Sequence, residues 1–151
     1  MIEILYGLSV GILGIFVGTQ IAEGALFVPY WKNLHTAEFF ELHKTYGPKI
    51  YKFFAPITIG ATFIPVVAAI YSVVTNAEGQ VASIVTAALC LMFFFTYPLY
   101  FKKANKSFAD ASLSEAELPK ELIKWGKWHW ARVYMELAAF AGSIVALLQA
   151  N

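Results

Sequence analysis

An all-α fold, a bundle of four transmembrane helices, is what this sequence predicts, and three observations predict it. The first is composition: of 151 residues, 59% are hydrophobic and only 14% charged, where a soluble domain carries about 25% charged residues. Mean hydropathy is +0.61. The second is the presence of four apolar windows, Ile4 to Phe27, Phe53 to Val74, Val81 to Phe101 and Trp130 to Leu148. Each reaches or approaches the roughly 20 residues that cross a bilayer. The third is charge placement. All eleven basic residues fall in or beside the first and third connections, whereas the opposite side carries only Glu3 and Glu78.

These observations set the topology. By the positive-inside rule both lysine-rich loops are cytoplasmic and both termini face out. The length suits one domain, residues 1–151. The helices are expected at about 4–27, 49–74, 81–102 and 119–149, with a short interfacial helix at 36–46. The partners expected are a lipid bilayer and an apolar small molecule, with assembly into a homo-oligomer or a larger membrane complex open. A net charge of +1 and no long basic block exclude a nucleic-acid partner. Cys90 is the one cysteine, so no internal disulfide or thiolate cluster forms.

The first helix could be mistaken for a signal peptide, since Ala22-Glu23-Gly24 resembles a small-residue cleavage site. No Lys or Arg precedes the apolar run, and the segment reads as a retained span. Its glycines Gly7, Gly11, Gly14 and Gly18 share a face and admit close helix packing. A neighbour inside the bundle is expected there; a second copy is the rival. In the first loop, Thr36 to Tyr46 has helical spacing, with Thr36 as N-cap. Gly47-Pro48 is expected to break it, Pro48 opening the second helix.

Between the second and third helices, Asn76 and Gly79 suit a tight reversal. The third connection turns small and polar from Ala104 to Ser114, and Ser114 with Glu117 makes a capping box. Pro119 then sits near the start of the fourth helix. Trp31, Trp125, Trp128 and Trp130 all lie on the basic side and read as an interfacial belt.

The chemistry concentrates on the fourth helix. Trp125, His129, Arg132 and Glu136 recur at i, i+4, i+7 and i+11, so they share a face. Ionisable groups within a span cost about 2.5–3.5 kcal/mol each on insertion scales and persist where they face partners. Topology brings Glu23, at the inner end of the first helix, and His43, ahead of the second, to the same end. His129, Arg132, His43 and Tyr46 are the candidate catalytic residues. Glu23, His43, His129 and Glu136 are the candidate metal ligands.

Three chemistries fit these types: a transition metal on imidazole and carboxylate, a haem between His43 and His129, or metal-free proton transfer with a histidine as acid or base. In the last, Arg132 holds an anionic oxygen. No Glu-x-x-His pair occurs, which weakens the metal reading. Against all three stands a structural one, in which Arg132 is neutralised by Glu136 four residues on, or by Glu23 across the bundle.

Lys124-Trp125, His129 and Arg132 form a basic-Trp, then His-x-x-Arg pattern, followed by Ala138-Ala139-Phe140. With the glycine ridge and the exit at Pro29, the chain resembles the DUF1772, or anthrone-oxygenase-like, four-helix membrane proteins. It departs at the end of the third helix: that family often has Asn-x-Pro-x-Asn, and here stand Thr96-Tyr97-Pro98-Leu99-Tyr100, with Asn105 beyond. The resemblance implies an oxygenase or related oxidoreductase acting on an apolar or phenolic molecule. A non-enzymatic subunit of a larger membrane complex is the alternative.

Overall fold

The computed structural model describes residues 1–150; Asn151, the last residue of the expected 1–151 unit, lies outside the described residues. Four long apolar helices pack as a bundle: α1 (Ile2–Lys32), α2 (Thr36–Val74), α3 (Gln80–Ala109) and α4 (Leu118–Gln149). In each helix's most apolar window, only 28–39% is buried within the chain. The remaining surface, including Ile4, Leu8, Ile15, Phe63, Val67, Ile70 and Met92, faces outward. A belt of that size is stable only against hydrocarbon. The protein is therefore an integral, multi-pass membrane protein.

The helices outrun the membrane. At 1.5 Å per residue the 39 residues of α2 span about 58 Å, nearly twice the roughly 30 Å hydrocarbon core. The excess lies at the lysine-bearing end and builds an aromatic head of its own, from Val28, Trp31, Phe39, Phe101, Phe108, Leu118, Leu122 and Trp125. Two of the four tryptophans thus differ from the expected belt. Trp31 and Trp125 are core residues, and Trp128 alone is exposed. An indole at the same height along the chain can serve either role; here the projecting helices needed a filled interior.

The expected break at Gly47-Pro48 is absent, and the interfacial helix runs straight into the second span. Pro48, Pro56 and Pro65 all lie inside α2. Gly47 supplies space rather than a stop, because the His43 ring lies 3.3 Å from where a Cβ would stand. The N-cap is His35, one residue before the expected Thr36, and its N–H donates to the Glu38 carboxylate at 3.1 Å. Likewise α3 continues past Ala104 to Ala109.

The expected turn is present, and of the expected Ser114–Glu117 capping box the carboxylate half is made. Asn76 and Gly79 adopt positive φ, 48° and 77°, so the chain reverses between α2 and α3. Ser114 donates from N–H and Oγ to the Glu117 carboxylate at 2.9 and 2.7 Å. That pair holds the exposed Glu117 carboxyl below its usual pKa.

Packing in the membrane layer uses small residues. Ala61, Ala68, Ala87, Ala139, Ala146, Ser72, Ser83 and Ser143 are buried between helices. Small side chains let backbones approach where lipid competes for apolar contact. Gly142 is one such approach: a Cβ there would stand 2.6 Å from Thr86 Oγ1. The helix-one ridge behaves otherwise. Gly14 meets Phe140, but Gly7, Gly11 and Gly18 have nothing within 4 Å of a Cβ position. Most of that ridge is not used inside the bundle.

Two π-helical turns interrupt the spans, at Glu23–Phe27 in α1 and Tyr97–Phe101 in α3. A proline lies in or just after each, although Pro48, Pro56 and Pro65 sit in α2 without such a turn. Pro29 and Pro98 lack an N–H, so a carbonyl a turn earlier loses its partner, and at these two the ladder re-forms one residue wider. Such turns are frequent at functional sites. Here they present Glu23 from one side and Tyr97 and Phe101 from the other to the same space.

Candidate functional site

A cavity of about 690 Å³ lies where the membrane layer meets the aromatic head. Its walls are mainly apolar: Phe39, Ile50, Phe54, Ile59, Phe93, Phe94, Phe101 and Phe108. The polar groups that reach it are few: Gln20, Glu23, His43, Lys44, Thr58, Asn105 and Arg132 among them. An apolar cleft with a few convergent polar groups is the usual form of a small-molecule site.

Arg132 is the cation at its inner end. The guanidinium carbon lies 4.4 Å from the centroid of the Phe93 ring and 4.4 Å from that of Phe101. Two cation–π contacts hold it in position. Among the described residues it has no ion pair, and its Nε is buried without a hydrogen-bond partner. The expected neutralisation by direct contact with Glu136 or Glu23 is therefore not made, although Arg132 lies within electrostatic reach of both. The Nε is the buried donor of this planar fork that no protein group meets, and a buried polar atom without a partner calls for a ligand, ion or water.

Beside it stand Glu23 and His129. His129 is fully buried and its Nε2 lies 2.9 Å from the Gln20 backbone oxygen. A carbonyl only accepts, so Nε2 carries the proton and Nδ1 is left with its lone pair when the ring is neutral. That Nδ1 lies 3.8 Å from Glu23 Oε2 and has no hydrogen-bond partner.

The ring is held from two further sides. Trp125 stacks on it at 5.1 Å and 9°, and Trp125 Nε1 is anchored by donation to Asn105 Oδ1 at 2.9 Å. Beneath it is Gly24, where a Cβ would come within 2.9 Å of His129 Cδ2 and 3.1 Å of Trp130 Cζ2. No other residue leaves His129 this close to α1.

The remaining candidates divide. Glu23 and Arg132 line the cavity, and His43 does so at its outer part, stacked on Phe39 at 5.6 Å. His129 stands behind Glu23 and is not part of the lining. Glu136 lies off the cavity, buried, with neither carboxylate oxygen hydrogen-bonded. Tyr46 is exposed under Lys49, away from the lining.

Among the described residues no three of His, Cys, Asp and Glu gather as a metal site requires. The set Glu23, His43, His129 and Glu136 is not assembled around one point. A haem between His43 and His129 fits no better, because His129 spends Nε2 on the backbone and turns Nδ1 to Glu23.

Gln20, Phe93 and Phe101 were not singled out from the sequence. Gln20 carried a signal, as the one amide in an otherwise apolar first span. The two phenylalanines carried none, being two of thirteen.

No family model matches the chain, and its comparison with curated proteins and with solved structures gives no match. The resemblance to DUF1772 thus rests on the four-helix layout and the short motifs alone.

Proposed function

We propose that the protein is a small membrane enzyme, oxidoreductase- or oxygenase-like, acting on an apolar or phenolic molecule in this cavity. One observation carries the reading: an unpaired, ring-clamped Arg132 guanidinium beside a carboxyl that lines the cavity and is backed by a histidine lone pair. Arg132 holds an acidic oxygen of the substrate. Glu23, as carboxylate, takes its proton, and His129 Nδ1 can accept that proton in turn. The aromatic walls lower the local dielectric and so strengthen each of these contacts. What these residues supply is the proton-transfer half of such a reaction: a phenol becomes a phenolate, the electron-rich form that is the easier to oxidise.

The test is infrared difference spectroscopy on the protein in lipid, with and without a long-chain alkylphenol. Transfer to Glu23 produces a protonated-carboxyl carbonyl band that Glu23→Gln removes and Glu136→Gln leaves. A phenol that binds with neither that band nor the imidazolium bands of a protonated His129, or a band indifferent to Glu23→Gln, defeats the reading. An absorption spectrum with metal analysis of the purified protein then decides the cofactor.

A second reading, an accessory subunit, is favoured by the outward-facing Gly7, Gly11 and Gly18. It predicts a partner of fixed stoichiometry that Gly11→Ile displaces while the cavity still binds ligand.

A further inference from the structure

We propose that the cavity takes a single-tailed lipophilic acid directly from the bilayer, through a slot between α2 and α3. Its ionised oxygen rests on Arg132 and its apolar body lies along the slot. This rests on the cavity being the binding site and not on the acid–base roles of Glu23 and His129.

The slot follows from the lining residues that are also exposed. Lys44, Pro48 and Tyr51 of α2 and Tyr97 and Ala109 of α3 border the cavity and reach the surface, and so does Ile59, deeper on α2. Ile59 lies seven residues beyond Lys52, the last charge of α2, which is about 10 Å along the axis. Tyr97 lies five residues before Lys102, the first charge of α3, about 7 Å. The lower lip is thus in hydrocarbon, while the upper lip at Lys44 and Ala109 stands among the headgroups or beyond. An opening that crosses the interface admits a molecule already dissolved in the leaflet, without a passage through water.

The ligand class follows from the inner end. Arg132 offers planar, charge-assisted donors that match a carboxylate or an aryloxide, and its contacts with Phe93 and Phe101 hold the guanidinium in position before anything binds. A guanidinium that has no ion pair, and whose Nε is buried without a hydrogen-bond partner, calls for an anion. With Glu23 and Glu136 within its reach, one negative charge suits the place better than two. About 690 Å³ is the size of a drug-like molecule, one chain rather than a phospholipid's two.

The experiment uses the whole chain in phosphatidylcholine vesicles, with Trp128→Phe and Trp130→Phe in the background. Trp31 and Trp125 remain; both line the cavity and are buried. Bromine on an acyl chain quenches tryptophan only at close range. Dibrominated stearic acid is compared, at equal membrane content, with its methyl ester and with dibrominated phosphatidylcholine. The acid is expected to quench and the other two to quench little. Arg132→Gln should raise the half-quenching content about tenfold or more, the effect of one lost charge-assisted contact. Ala55 of α2 also lines the cavity, and Ala55→Phe, which puts a ring there and leaves Arg132 in place, should abolish quenching by the acid.

Equal quenching by acid, ester and phospholipid in the unsubstituted slot overturns the proposal, and so does acid quenching that survives Ala55→Phe. Glu23→Gln removes a negative charge within reach of Arg132, so it should tighten quenching by the acid while it removes the infrared band. Lipid entry and proton transfer therefore fail separately.

Discussion

His129 of α4 donates from Nε2 to the backbone oxygen of Gln20 in α1, across 2.9 Å of fully buried space. This bond fixes the tautomer and turns the other nitrogen to Glu23. It also ties the start of the π turn in α1 to the helix that carries Arg132. The position of the acid–base pair is therefore a consequence of how two helices lock, and substitutions at the lock should be felt at the site.

Gly24→Ala tests the lock directly. The added methyl would stand 2.9 Å from His129 Cδ2 and 3.1 Å from Trp130, and both rings are packed. Overpacking of this kind costs about 1–3 kcal/mol, which predicts a lower melting temperature in detergent and loss of the Glu23 infrared band. Gly18→Ala, six residues earlier with nothing within 4 Å, is the control. It should be neutral or stabilising by up to about 1 kcal/mol, because alanine is the better helix former.

Arg132→Lys should behave as a loss. Lysine keeps the charge but has neither the planar fork nor the broad face that sits between Phe93 and Phe101 at 4.4 Å from each. Binding of the brominated acid should weaken nearly as much as in Arg132→Gln. A lysine variant with the affinity of the original would mean that charge alone holds the ligand.

The Trp125 shelf separates packing from orientation. Trp125→Phe retains a ring over His129 but loses the 2.9 Å bond to Asn105. About 0.5–1.5 kcal/mol of stability should go with it. Asn105→Leu should cost a similar amount, and the double variant should cost less than the sum, as two partners in one bond do. Thermal unfolding of the four proteins in one detergent measures the coupling.

How much of this was legible in the sequence depends on which physical signal a residue leaves. Apolar run length and the lysine asymmetry reveal four spans, and Asn76 and Gly79 reveal the turn between α2 and α3. The shared face of His129, Arg132 and Glu136 marks one end of the bundle as polar. What hides the rest is phase. Each π turn inserts a residue, and one residue is about 100° of rotation, so a periodicity carried through Glu23–Phe27 or Tyr97–Phe101 assigns the wrong face beyond it. Phe101 and Trp31 lie at or beyond such turns. The orientation of His129 was hidden for another reason: its hydrogen-bond partner is a backbone carbonyl, and a carbonyl leaves no mark in a sequence. Tyr46 and the glycine ridge erred the other way, since helical spacing identifies a face without saying what covers it.

Glu136 is where stability and function should part. Its two oxygens are buried and unbonded, so the folded chain carries the cost of a desolvated carboxyl. Glu136→Gln removes the charge and keeps the shape. It should raise the melting temperature by about 2–4 °C, the equivalent of roughly 1 kcal/mol in a chain of this size. The same change removes a negative charge within reach of Arg132 and should tighten binding of the brominated acid while leaving its methyl ester unaffected. A lower melting temperature would show instead that Glu136 is a structural counter-charge to Arg132, whose loss leaves the partly buried guanidinium without compensation. Paired unfolding and quenching measurements on this one variant distinguish the two.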